Sequence, residues 1–200
     1  MKTPIPFPNR AAVLIAACAV WSCNLAAHGA EPALHRNVVK NGDFTEVAGG
    51  LPAGWRPKGA DYQGDKAPWQ NDAEVIAEGS EKFLRFRRTG SIRLSNLAHA
   101  ETIEVPKRAK QAVVSVRLRV KDLAPANNYD KYPGVSIRAL DEAGKSPGPA
   151  TAAATEDTRW KTFTATLKLQ PGAKTLEVVL GPWAAAGTCD FDDVVVKFEQ

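Results

Sequence analysis

The sequence predicts an all-β fold, an antiparallel β-sandwich, from two features of its pattern. Apolar and polar residues alternate in short runs, and no long stretch repeats at helical spacing. Clusters of Gly, Pro, Asn and Asp separate the runs, as is typical of sandwiches and barrels. The clearest run, residues 113–120, alternates Val and Leu118 with Ser115, Arg117 and Arg119, which predicts one buried and one outward face.

The same alternation predicts six further strands. They are residues 83–88, 91–95, 134–140, 160–169, 175–180 and 189–198. The last of them is apolar on both faces at 194–196, so we expect a central, covered strand. Pro and Gly predict tight turns at 141–144 and 170–173. Residues 145–157, rich in Ala, Pro and Thr, are predicted to be a loop.

Residues 1–30 have the pattern of a signal peptide. Lys2 and Arg10 precede an almost uncharged stretch at 11–27, and small residues follow it. We therefore expect a mature domain at 34–200, secreted or periplasmic, with no membrane span. An uncleaved anchor helix is one alternative. Lipid anchoring at Cys18 is another, because the residues that precede it resemble a bacterial lipobox.

Charge and cysteine content exclude two classes of protein. The chain has 26 Lys and Arg against 22 Asp and Glu, and removing Lys2 and Arg10 lowers its net charge from +4 to +2. A net charge this close to zero does not suit general nucleic-acid binding, which needs a dominant basic surface. The mature domain would keep only Cys189, so neither an intrachain disulfide nor a cysteine-based zinc site is expected.

Several short motifs, in order, resemble carbohydrate-binding modules of families 4, 9 and 22. They include Asn-Gly-Asp-Phe at 41–44, Leu-Pro-Ala-Gly-Trp at 51–55, Trp-Lys-Thr-Phe at 160–163 and Phe-Asp-Asp-Val at 191–194. The resemblance spans residues 37–198 and implies a galactose-binding-like jelly roll of two antiparallel sheets. It also implies non-catalytic binding of a polysaccharide.

The same resemblance implies a structural Ca²⁺ where the N-terminal segment meets the last strand. Calcium prefers six to eight oxygen ligands, mostly carboxylates and carbonyls. Asp43, Thr45 and Glu46 at one end, with Asp192 and Asp193 at the other, are the candidate ligands. The alternative is that the two aspartates only cap turns or pair with arginines.

Aromatic residues are candidates for stacking on sugar rings, because they cover a sugar's C–H face at little cost in entropy. The long connections 50–72 and 121–133 are expected to carry binding residues. The candidates are Tyr62, Trp69, Tyr129 and Tyr132 in these loops, and Trp183 just after a strand. The resemblance instead implies core positions for Trp55, Trp160, Phe44, Phe163 and Phe191.

An arginine stripe is predicted on the outward faces of the strands. Its members are Arg85, Arg87, Arg93, Arg117, Arg119 and Arg138. Guanidinium groups bind carboxylates and sulfates in a bidentate manner, so an anionic polysaccharide is one hypothesis for the ligand. The alternative is a set of solvated faces on which the arginines pair with Glu101, Glu104 and Glu177.

The sequence does not predict an enzyme. The carboxylates at 142, 156 and 157 lie in turns rather than as a pair flanking a cleft. No serine-centred elbow and no metal-binding His pair occurs. Two alternatives to sugar binding stay open: a cell-envelope interaction module, and a jelly-roll polysaccharide lyase that uses residues 129–132. The sequence leaves the sugar and the oligomeric state open.

Overall fold

The computed structural model describes residues 34–58, 73–88, 96–125, 132–183 and 185–200, which all belong to one unit, Glu31–Gln200. The described residues form β1 Val47–Ala48, β2 Leu51–Pro52, β3 Trp55–Lys58, β4 Ala73–Glu78, β5 Glu81–Arg88, β6 Asn96–His99, β7 Ile103–Glu104, β8 Gln111–Pro125, β9 Gly134–Leu140, β10 Ala150–Ala153, β11 Thr158–Lys168, β12 Thr175–Gly181 and β13 Ala185–Glu199. Within these ranges no helix is suited to crossing a membrane. The predicted signal peptide at 1–30, with Cys18, and the predicted strand at 91–95 lie outside them.

The strands form two sheets beside a small hairpin of β1 and β2. Sheet I has six strands, in the order β10-β9-β12-β6-β3, and β7 also pairs with β12. Sheet II has five strands, in the order β11-β8-β13-β5-β4. All the pairings are antiparallel. The predicted all-β antiparallel class is therefore confirmed.

The core is built from the apolar faces of both sheets. In β8, residues such as Val116 and Leu118 are fully buried while Arg117 between them is not, as the alternation predicts. Val178 and Leu180 of β12 contribute to the core from sheet I. The largest fully buried side chains include Phe44, Phe86, Phe191, Phe198, Leu84, Leu97 and Ile137.

The last strand, β13, is the middle strand of sheet II, as predicted. Its pairing with β8 shifts between Asp192 and Val195, and Asp193 has a positive φ of 48°. Such a bulge adds one residue to the strand and reverses its alternation. Phe191 before the bulge and Val194 after it therefore both face the core, although strict alternation would place them on opposite faces.

The N-terminal segment runs beside β13. The Val38 N–H donates to the Val196 carbonyl at 2.9 Å, and the Val194 N–H donates to the Gly42 carbonyl at 2.9 Å. Further along, the His35 N–H donates to the Phe198 carbonyl at 3.0 Å. The two ends of the domain are thus joined by backbone hydrogen bonds.

Asn41 organises the first motif. Its amide group donates to the carbonyls of Glu46 and Ala53, and its Oδ1 accepts from the Glu46 N–H at 2.9 Å. The Trp55 indole donates to the Asn41 carbonyl at 3.2 Å, and the Trp55 ring packs 5.7 Å from that of Phe44. Trp55, Phe44 and Phe191 lie in the core, as the resemblance implies, and Phe163 packs partly buried against it.

The structure corrects the loop predicted at 145–157, because residues Ala150–Ala153 form β10 and pair with β9. Because three of the four residues of β10 are alanines, its two faces differ little in hydrophobicity, and the sequence shows no clear alternation there. The close approach of β10 to β9 also requires a glycine at position 134, because an added Cβ there would lie 2.2 Å from the Ala152 carbonyl oxygen. Strand β8 likewise runs past residue 120, to Pro125. The turns at 141–144 and 170–173 form as predicted.

Candidate functional site

The outer face of sheet II carries charged side chains around two aromatic rings. Arg119, Asp190 and Arg85 lie side by side in register on β8, β13 and β5. Arg117 and Asp192 form the neighbouring pair on β8 and β13. We call this surface the arginine face. It consists of Glu78, Glu81, Phe83, Arg85, Arg117, Arg119, Trp160, Asp190 and Asp192.

Trp160 belongs to this face and not to the core, which corrects the position that the resemblance implies. Its ring is half-buried and meets the Phe83 ring edge-on, with centroids 5.4 Å apart. Because Leu167 of β11 faces the core, the same alternation directs Trp160 outward. Phe83 is fully buried, yet it lies outside the core cluster, which takes Leu84 and Phe86 from β5.

Asp190 is the electrostatic centre of the arginine face. Arg85 donates through Nε and Nη2 to its two carboxylate oxygens, at 2.6 and 2.9 Å. Arg119 Nε donates to Oδ2 at 2.7 Å. Only 2% of Asp190 is exposed, and the hydrogen bond to it raises the pKa of Arg85. Both guanidinium carbons lie about 5 Å from the Phe83 centroid.

Arg117 forms a second cluster beside Trp160. Its Nη2 lies 2.8 Å from Asp192 and 3.0 Å from Glu81, and its guanidinium carbon lies 4.6 Å from the Trp160 centroid. Among the described residues its Nε is buried and has no hydrogen-bond partner, and it lies 3.8 Å from the Asp193 carboxylate. A buried donor without a partner is rare in proteins and needs an explanation.

Asp192 titrates in an unusual range. Burial raises the pKa of its carboxyl group from 3.8 to about 6, with the charges of Asp193 and Glu81 adding to the effect. The Asp193 N–H and the Arg117 guanidinium oppose that rise. The group is therefore largely protonated in the folded protein at pH values where it is ionised in the unfolded chain.

This raised pKa predicts a pH-dependent difference between the protein and its Asp192→Asn variant. The folded state holds the proton more tightly, so the stability of the protein relative to the variant should fall as the pH rises from about 4 to about 6. Urea unfolding of both proteins across this range measures the difference, and the comparison cancels the titration of His99 and other shared groups. A difference in stability that stays constant with pH would contradict the prediction.

The predicted arginine stripe is divided between the two sheets. Arg138 lies on β9 in sheet I and pairs there with Glu177, one of the expected partners. Arg87 lies on β5 and is 3.8 Å from Glu74. Arg93 lies outside the described residues. Arg85, Arg87, Arg117 and Arg119, the members of the stripe on sheet II, are each placed beside carboxylates, which offset the positive charge that the stripe predicted there.

Two of the predicted stacking residues are described. Tyr132 precedes β9 and Trp183 follows β12, and both are half-buried. Because Gly134 pairs with Gly181, they flank the same end of sheet I. Tyr62, Trp69 and Tyr129 lie outside the described residues.

Asp43 and Asp192, two of the five candidate calcium ligands, have side-chain partners in the structure. Asp43 Oδ1 accepts from the Thr45 hydroxyl at 3.1 Å, and Asp192 belongs to the arginine face, where Arg117 occupies it. Across the described ranges, no three His, Cys, Asp or Glu side chains are grouped to hold a metal ion. Calcium binding by these residues, Glu46 and Asp193 included, stays a prediction from the sequence.

Comparisons with known proteins identify the fold. No protein-family model matches the sequence, and neither does any curated protein. A cyclase from Fischerella sp. TAU is similar in structure, with a TM-score of 0.53 and 16% identity over 80% of this chain and 96% of the cyclase. A family 4 carbohydrate-binding module gives a TM-score of 0.50 and 16% identity, over 80% of this chain and 99% of the module.

The enzymatically active domain of tailspike protein 4 from bacteriophage CBA120 is also similar, with a TM-score of 0.52 and 13% identity over 82% of this chain. This chain spans 21% of that domain's length. The chain therefore has the predicted jelly-roll fold of the carbohydrate-binding-module type. Modules and enzymes both carry this fold, so the function has to be argued from the site.

Proposed function

We propose that this protein is an exported, non-catalytic module that binds a polysaccharide on the arginine face. The observation that carries the proposal is the position of Trp160, an indole on the outer surface of a rigid sheet, framed by fixed hydrogen-bonding groups. Sugar rings present a C–H face for an aromatic ring and hydroxyl groups for polar side chains.

The charges of the arginine face favour a neutral sugar chain. Four carboxylates accompany three guanidinium groups there, and each guanidinium is bound to at least one carboxylate. An anionic ligand would have to displace these pairs. A neutral sugar uses donors and acceptors together, and this face offers both without a change in ionisation.

The contacts of the carboxylates support the non-catalytic part of the proposal. Asp190 is held by two guanidinium groups, and Asp192 and Glu81 share the single cation Arg117. Hydrolysis of a glycoside would need one free acid and one free base on opposite sides of the bond. The pKa of Asp192, about 6, would nevertheless suit a general acid. An assay for new reducing ends released from a bound polymer therefore tests whether the protein is an enzyme, and their release would contradict the non-catalytic part of the proposal.

The predicted signal peptide supports the export that we propose. It implies that the mature protein starts after Ala27 or Ala30, the two expected cleavage sites. Mass spectrometry of the protein released from cells distinguishes this start from a lipid-modified Cys18.

Replacing Trp160 by alanine should abolish most polysaccharide binding. We expect the affinity for a neutral polymer such as galactan, xylan or arabinan to fall at least about thirtyfold, the effect of removing a central aromatic contact. Affinity electrophoresis followed by calorimetry measures it. The fold should survive, because Trp160 is half-buried and outside the core.

Trp183→Ala is the matched control, since Trp183 lies at the end of sheet I and is also half-buried. Binding that is lost in the Trp183 variant but kept in the Trp160 variant would move the site to that end. A protein that binds none of the polymers, but captures a specific envelope protein, would favour the interaction module instead.

A further inference from the structure

A cleft of about 650 Å³ opens at the end of the domain where β8 begins. Two segments form its walls, residues 102–110 and residues 169–175, and all of these residues are described. Its size lies in the range of clefts that hold small ligands. It lies at the opposite end of β8 from Pro125. We call it the lysine cleft.

Backbone hydrogen bonds fix both walls of the lysine cleft. The Val105 N–H donates to the Lys174 carbonyl at 2.9 Å, which ties the two walls together. The Lys110 carbonyl accepts from the Leu169 N–H at 2.8 Å, and the Lys110 N–H donates to the Glu199 carbonyl at 2.8 Å. A cleft with walls held in this way is formed before a ligand arrives, so binding needs little further ordering.

The charge of the lysine cleft differs from that of the arginine face. Lys107, Lys110 and Lys174 line it together with one carboxylate, Glu104. All three lysines are exposed. In the described part of the chain, the ammonium groups of Lys110 and Lys174 form no ion pair. These two charges are therefore available to a ligand without breaking an existing contact.

Most of the remaining lining is apolar, with Thr102, Gln170 and Thr175 as the polar exceptions. It consists mainly of Val105, Pro106, Ala109, Leu169, Pro171 and Ala173. An apolar floor beneath ammonium groups suits a ligand that combines C–H surface with acidic groups. None of the described residues that line the cleft is aromatic, so charge rather than stacking would select the ligand.

We propose that the lysine cleft binds acidic sugar residues of a polysaccharide through Lys110 and Lys174. The choice of a polysaccharide over another polyanion rests on the function proposed for the arginine face. The protein then has two binding surfaces of different chemistry, one for a neutral stretch of chain and one for a carboxylated or sulfated stretch. Together they would select a polymer that contains both.

The test compares two polymers and two variants. We expect Lys110→Gln with Lys174→Gln to lower the affinity for polygalacturonate about tenfold and to leave galactan binding unchanged. Trp160→Ala should lower the affinity for galactan and leave polygalacturonate binding unchanged. Added salt, from about 50 mM to about 500 mM, should weaken polygalacturonate binding to the unmodified protein and leave galactan binding nearly constant.

Arg87→Gln with Lys121→Gln is the matched control, because it removes the same charge from exposed positions at the far end of β5 and β8. The proposal is overturned if this control loses as much polygalacturonate affinity as the cleft variant. It is also overturned if polyglutamate binds the cleft as tightly as polygalacturonate, which would indicate a polypeptide partner. Heparin that competes better than polygalacturonate would support the cleft and identify sulfate as the acidic group.

The two proposals fail separately. Galactan binding that is absent, or unaffected by Trp160→Ala, contradicts the arginine face and leaves the lysine cleft standing if its own variant still loses polygalacturonate. Polygalacturonate binding unaffected by the cleft variant contradicts the lysine cleft alone.

Discussion

Replacing Asp190 by alanine is expected to lower the free energy of unfolding by about 3 kcal/mol, because it removes the shared partner of two guanidinium groups. Arg85 and Arg119 donate three hydrogen bonds to this carboxylate, whose side chain is only 3% exposed. Without Asp190 both cations would stay packed on Phe83, and their remaining ion pair would be with the half-exposed carboxylate of Glu78. Two like charges would then face each other at reduced solvation.

Urea unfolding measures this loss, and the melting temperature should fall by roughly 6–12 °C. Glu74→Ala is the control, because Glu74 lies in the same row of sheet II but pairs only with the exposed Arg87 at 3.8 Å. An exposed ion pair of this kind contributes less than about 1 kcal/mol to the free energy of unfolding. Equal losses in the two variants would show that Asp190 is no more than a surface charge.

Replacing Gly42 by alanine is expected to cost about 3 kcal/mol, at the upper end of the range for an overpacked site. An added Cβ would lie 2.1 Å from the Val194 carbonyl oxygen, so one of the two backbones must move. Val194 follows the bulge in the central strand of sheet II, and its N–H donates to the Gly42 carbonyl. Movement there would break the join between the two ends of the domain.

Hydrogen exchange at the Val194 amide gives a second readout, since protection should be lost there before it is lost in sheet I. Gly134→Ala is the informative comparison. Its added Cβ would lie 2.2 Å from the Ala152 carbonyl oxygen, but Ala152 is on β10, an edge strand that can shift outward. We expect a smaller loss for Gly134. The opposite order would contradict the view that the central strand is the less yielding of the two.

The alternation of the sequence predicted the strands that form the centre of each sheet. In β8 the buried valines and the outward Arg117 and Arg119 could be assigned in advance, because period-2 patterns report faces directly. Seven strands were not predicted, namely β1, β2, β3, β4, β6, β7 and β10, and all of them except β4 are short or made of small residues. Motifs at 41–44 and 191–194 indicated that the chain ends belong together, and backbone hydrogen bonds do join them.

Only some residues of the candidate site could be predicted from the sequence. Arg117 and Arg119 were predicted to lie on the outward face of their strand. Asp190 could have been assigned to the same surface as Asp192, because residues two apart on a strand share a face. Phe83 and Trp160 were not recognised as partners, because 77 positions of sequence separate them and only the order of the strands brings their rings together. The lysine cleft has the same origin, since it joins a turn before β8 to the turn before β12.

By itself, the sequence of this protein determined the fold class, the faces of the long strands and the charge of their outward residues. These are local properties, set by side-chain type and by the period of the β-strand. Tertiary structure decided which charges neutralise one another. It paired Arg85, Arg117 and Arg119 with Asp190, Asp192, Glu78 and Glu81. Among the residues that the structure describes, it gave Lys110 and Lys174 no carboxylate partner. Ion pairing depends on distance and burial, and neither quantity can be read along a chain.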